Sequence, residues 1–244
     1  METQYSMNKA SSQNYKLDLK SLFERGNTAT KQNFPVILRC MFILLFIGLA
    51  SLVGFLNIYN IETVAQLEAL QTETYFFNML LTVCLSPLMA GICMLAVKTE
   101  RKQPINVMSL FMYVPLILWL ATAELIVSLL IQVGMTLFIL PAIYIFITTV
   151  FTKFLIADKQ LRPFMAIKSS IQMCNQYLLQ LTILFAIFLV LFLFGMVTFG
   201  LAFIWIVPLY YNVTGILYND LFSVRNETQQ MDPITNPEES HFDA

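Results

Sequence analysis

The stretch from Tyr177 to Tyr218 runs for 42 residues without an Asp, Glu, Lys or Arg. At ~1.5 Å per residue, a helix of that length is about twice as long as the ~30 Å hydrocarbon layer it would have to cross. The run must fold back on itself, and Gly195 and Gly200 bracket the place where a turn fits. This one stretch predicts two adjacent membrane-spanning helices, over 177–194 and 200–218.

The rest of the chain agrees in class. It is 58% hydrophobic and only 12% charged, whereas soluble domains average ~25% charged residues. A water-soluble core built from it would lack the polar residues to coat its surface. Four further apolar segments lie over 36–56, 75–97, 107–131 and 134–157, with a turn expected at Gly134. Residues 163–176 read as an interfacial amphipathic helix. Phe164, Ile167, Ile171 and Cys174 form its apolar face; Lys168, Gln172 and Asn175 form its wet one.

The fold class is therefore all-α, a polytopic membrane protein of six transmembrane helices with short interfacial helices. The membrane domain covers 36–219. Residues 1–35 form an N-terminal segment with no apolar core of the kind a cleaved signal peptide carries. Tyr15, Leu19, Leu22 and Phe23 recur there at helical spacing, which fits a short helix on the membrane surface or a frayed tail with incidental leucines. Residues 220–244 turn abruptly polar and read as a disordered tail.

Charge placement orients the six spans. All 14 Lys and Arg fall before or at the start of the first span, after the second, around the turn after the fourth, or after the sixth. The three loops on the opposite side receive none. The positive-inside rule then puts both termini in the cytoplasm. A loose threefold repeat of helical hairpins, each returning with a proline (Pro87, Pro141, Pro208), accompanies this layout.

Chemical signatures are sparse. The single histidine, His241, lies in the polar tail, which speaks against a His-based triad or metal site. No phosphate-binding glycine loop occurs. The cysteines Cys40, Cys84, Cys93 and Cys174 lack paired spacing and read as small buried hydrophobes. The sequence thus predicts no enzyme, catalytic residue, cofactor or metal, and a net charge of −1 offers no basic face for nucleic acid.

Two features remain as candidates. Asn78, Thr82 and Ser86 share one helix face, Glu124 and Ser128 another, and Asn212 lies on a third. Such faces either pack helices together or line a polar pathway. Glu124 is the one carboxylate inside a span, set toward its outer end with no cation expected at its depth; an intramembrane acid is by default a functional candidate. Lys159, Arg162 and Lys168 are the candidate contacts to anionic lipid headgroups.

The order LPAIYIFITTVFTKFLIADKQ, then FMAIKSSIQM, then two spans ending past a proline, resembles the bacterial YciC-like inner-membrane proteins. These are related to the membrane domain fused to some glycerophosphodiester phosphodiesterases. The resemblance covers about the last third of the chain. It implies an integral protein of the bacterial inner membrane, with Asp158 as an acid near the membrane and an Ala-x-x-Ser helix at Ala166 to Ser169. Two functions follow as expectations. The first is a non-enzymatic scaffold or envelope-homeostasis factor acting on the bilayer, a membrane-protein partner or a second copy of itself. The second is a small transporter or channel using the polar faces and Glu124.

Overall fold

The computed structural model describes residues 18–230 except 62, 64, 65, 67 and 68, and for 223–230 the backbone alone. Lys9, Tyr15, Lys16, Glu62, Glu68, the tail beyond Gln230 and His241 lie outside the described residues. Among the described residues every regular element is helical. The elements are α1 (Leu19–Ile58), α2 (Gln71–Glu100), a 3-10 segment (Val107–Leu116), α3 (Ile117–Leu137), α4 (Ile139–Thr148), α5 (Thr152–Lys159), α6 (Pro163–Gln176), α7 (Leu178–Val197) and α8 (Phe203–Gln230).

Among the described residues, five segments are long and apolar enough to cross a membrane: α1, α2, the 3-10 segment with α3, α4 with α5, and α7. The expected sixth, α8, is a helix of 28 residues but falls outside that set. Its apolar residues are interleaved with Tyr210, Tyr211, Asn212, Thr214, Tyr218, Asn219 and Asp220. From Ile206 to Phe222 the other helices cover most of it, so its polar groups there meet protein: Asn212, Thr214 and Tyr218 are buried. The helix also continues to Gln230, past the expected end at Asn219.

The expected surface helix near the N-terminus takes a different form. Residues 19–34 continue into the first span as one helix of 40 residues, in spite of Pro35. Asp18 caps its start, its carboxylate accepting from the Lys20 amide at 3.1 Å. At about 60 Å this helix is twice the hydrocarbon thickness. Its first half is tied down by packing, with Phe23 against Phe188 and Phe34 against Trp205.

α7 exposes Leu189, Val190 and Phe194, an apolar surface suited to hydrocarbon. The turn after it is bracketed as read, the Gly200 amide donating to the Gly195 carbonyl at 2.9 Å. Of the four cysteines, Cys40, Cys93 and Cys174 are buried but Cys84 is exposed on α2. In α6 the buried face is Ala166, Ile167, Ser170 and Cys174, while Phe164 of the expected apolar face points outward.

Close approach dictates one glycine. A Cβ on Gly91 of α2 would stand 2.6 Å from the Leu110 carbonyl oxygen of the 3-10 segment, backbone that has nowhere to go. Gly91→Ala is expected to destabilise the bundle by about 1–3 kcal/mol. Gly48→Ala on α1, with nothing within 4 Å, is neutral or stabilising by up to about 1 kcal/mol. Thermal midpoints of the two variants in the same detergent check the contrast.

Candidate functional site

The pairing of Glu124 begins with a hairpin. Helix α3 continues to Leu137, beyond the expected end near 131, and Phe138 alone makes the turn with an extended backbone (φ −162°, ψ 158°). Gly134, expected to be the turn, is inside α3 and lets the returning chain come close; a Cβ there would lie 2.9 Å from the Ala142 nitrogen. Residues equally far from Phe138 on the two arms therefore face each other. Glu124 is fourteen residues before it and Lys153 fifteen after it.

The result is an ion pair, Lys153 Nζ to Glu124 Oε2 at 3.0 Å. This corrects the expectation that no cation reaches Glu124. Lys153 counts in sequence among the basic residues around the turn after the fourth span, but it sits in the first turn of α5, and a four-carbon stem carries its ammonium into the bundle.

The pair lines a cavity of about 200 Å³ together with Cys93, Thr149, Thr152, Tyr210, Tyr211 and Thr214. The cavity sits at a break: α4 ends at Thr148 and α5 starts at Thr152. Irregular backbone inside a membrane bundle needs local partners for its polar groups. Ser170 of α6 supplies two, its hydroxyl donating to the Thr148 carbonyl (2.7 Å) and accepting from the Phe151 amide (3.2 Å). The Ala-x-x-Ser match placed the serine at Ser169; the residue that reaches the break is Ser170.

Thr149 and Thr214 turn their hydroxyls back to carbonyls of their own helices. Thr152 does not. Its Oγ1 is buried at the cavity wall with no hydrogen-bond partner, and the residue is only 3% exposed. An unmet buried hydroxyl is unfavourable by about 1–3 kcal/mol unless something polar reaches it.

The other pathway candidates do not join this cavity. Asn78, Thr82 and Ser128 come together in a second one of about 290 Å³ with Tyr75 and Gln132, and it shares no lining residue with the first. Asn78, Thr82 and Ser128 each donate to a carbonyl of their own helix. Ser86 is buried and donates to the Val83 carbonyl. Asn212 is fully buried and donates to Thr30 Oγ1 of α1 at 3.0 Å, a bond between helices. The six residues thus form one charged site, one separate polar pocket and two packing contacts. Lys153 and Thr152, which complete the charged site, were missed: a turn at Gly134 sets Glu124 opposite Tyr144, and only the turn at Phe138 brings Lys153 to it.

The basic residues gather at one end of the bundle in a network. Arg101 binds Asp158 through both terminal nitrogens (2.8 and 2.9 Å) and donates from Nε to Asn219 Oδ1. Tyr218 donates its hydroxyl to the same Asp158 carboxylate at 2.9 Å. Arg25 bridges Asp220 and Glu100. Donating to the Asp158 carboxylate raises the Arg101 pKa above its ordinary value. The network joins α1, α5, α8 and the end of α2, so those four segments meet at the same end. Of the candidate lipid contacts, Lys159 turns to α8, over the Phe222 ring at 5.5 Å and toward its carbonyl at 3.4 Å. Arg162 and Lys168 are exposed.

Comparison with protein-family models, curated proteins and solved structures finds no match to this chain.

Proposed function

We propose that this chain is a six-span protein of the bacterial inner membrane, with both termini in the cytoplasm, and that it works as a small transporter. Its site is the Glu124–Lys153 cavity. The observation that carries this reading is the ion pair at 3.0 Å beside a break in the returning helix. Charges inside a membrane bundle mark solute or proton paths, and interrupted helices are where such sites are built. Lys153 gives the cavity a positive group beside Glu124, so the site offers both charges to a ligand. The unpartnered Thr152 hydroxyl adds a third polar group for a ligand.

The scaffold reading keeps one observation in its favour. The outer side of α6 exposes Phe164 and Met165 beside Arg162 and Lys168, a mixture suited to an anionic headgroup layer.

A transporter must open its cavity to water. Thr149→Cys, placed in a chain whose own cysteines are alanine, is expected to react with a membrane-impermeant thiol reagent in sealed vesicles. Arg162→Cys serves as the control and is expected to react only in inverted vesicles, as the cytoplasmic placement requires. If the control reacts and the Thr149→Cys protein stays unlabelled from both faces, the transport reading fails.

A further inference from the structure

The polar cavity is walled by aromatic rings that have a second face. Phe146 and Tyr210 line the cavity and also line an apolar groove of about 570 Å³ between α4 and α7. Ile143, Ile147, Phe185 and Phe188 form much of that groove. Its one further hydroxyl, on Thr182, is spent on the Leu178 carbonyl of its own helix. Ile143, Phe146 and Leu189 are exposed at its mouth, which in a bilayer faces hydrocarbon. A charged chamber therefore adjoins an acyl-like slot, separated only by side chains.

We infer that cavity and groove form one site for a zwitterionic bilayer lipid. Its phosphate would lie against Lys153, its ammonium against Glu124, and one acyl chain along the α4–α7 groove. The inference rests on the transport reading and specifies its substrate class. Charge complementarity selects the lipid. The chamber carries one positive and one negative group, so a headgroup with both charges satisfies both. A headgroup with only a phosphate would meet Glu124 as a like charge, which is unfavourable. The Thr152 hydroxyl lies in the same wall to bond a headgroup oxygen.

The test uses the full chain in vesicles of phosphatidylethanolamine and phosphatidylglycerol, with a trace of phosphatidylethanolamine bearing a photoreactive acyl chain. Crosslinks are expected to concentrate on peptides containing Ile143–Phe146 and Phe185–Phe188. Unlabelled phosphatidylethanolamine should displace the probe better than phosphatidylglycerol. The Glu124→Gln/Lys153→Met double variant should lose about tenfold of that preference, the scale of a charge-assisted contact. Ala186→Phe, which fills the groove, should abolish the crosslink and leave the Glu124–Lys153 pair in place.

Labelling spread evenly over exposed α1 residues such as Phe46, or a headgroup preference unchanged in the double variant, overturns the inference. If Thr149→Cys is reached by water while lipid labelling is uniform, the cavity reading stands and the lipid assignment alone falls.

Discussion

Asp158→Ala is expected to lower the stability of the folded bundle by about 2–3 kcal/mol, the scale for removing a partly buried acceptor of charge-assisted bonds. The Asp158 side chain is 14% exposed and accepts three bonds, two from Arg101 and one from Tyr218. Removing it leaves a buried phenol without its acceptor and the Arg101 guanidinium with only its bond to Asn219. The partners should matter less. Arg101→Ala leaves Asp158 its bond from Tyr218, and the arginine side chain is 30% exposed, so about 1–2 kcal/mol is expected. Tyr218→Phe removes one hydrogen bond and keeps the ring stacked against Phe154, for about 1 kcal/mol. Unfolding by SDS titration in mixed micelles should rank the three in that order. Equal losses would mean that the network acts only as surface charge.

Asp158 shows what kind of information the sequence held. The resemblance singled it out as an acid near the membrane, but its role depends on Arg101 and Tyr218, 57 and 60 residues away from it in the chain. Span positions were legible because hydrocarbon imposes one rule on every segment, length against apolarity. α8 escaped that rule for a physical reason: a helix wrapped by other helices can carry Asn212 and Tyr218, since protein supplies their partners. The first half of α1 was misplaced for a related reason. Its amphipathic pattern is the same whether the apolar face meets lipid or α8, and only packing decides.

The site followed the same division. Glu124 was found by being an anomaly in its own span. Lys153 was not, because it lies near enough to a helix end to pass for a snorkelling residue. Helical hairpins have a register, however, and Gly134 beside Ala142 sets this one. Thr152 could not have been found from sequence, because threonines in membrane helices commonly bond their own backbone, as Thr148 and Thr149 do beside it.

Lys153→Met should cost about 2 kcal/mol by leaving Glu124 without a counter-charge at its depth, and Glu124→Gln about the same by stranding the ammonium. The double variant is expected to lose no more than either single one, giving a coupling energy of about 2 kcal/mol. Additive losses would mean that the two groups do not meet in the bilayer, and the charged site would dissolve with them. The exchanged pair, Glu124→Lys with Lys153→Glu, separates stability from function. It restores attraction between α3 and α5, so the fold should recover most of its stability. Yet it reverses the direction of the field inside the cavity, so a ligand bound by its own two charges must lose its fit. A protein that folds with the exchanged pair and no longer discriminates between headgroups would show that the pair reads a ligand, whereas full retention of discrimination would reduce it to a clamp between helices.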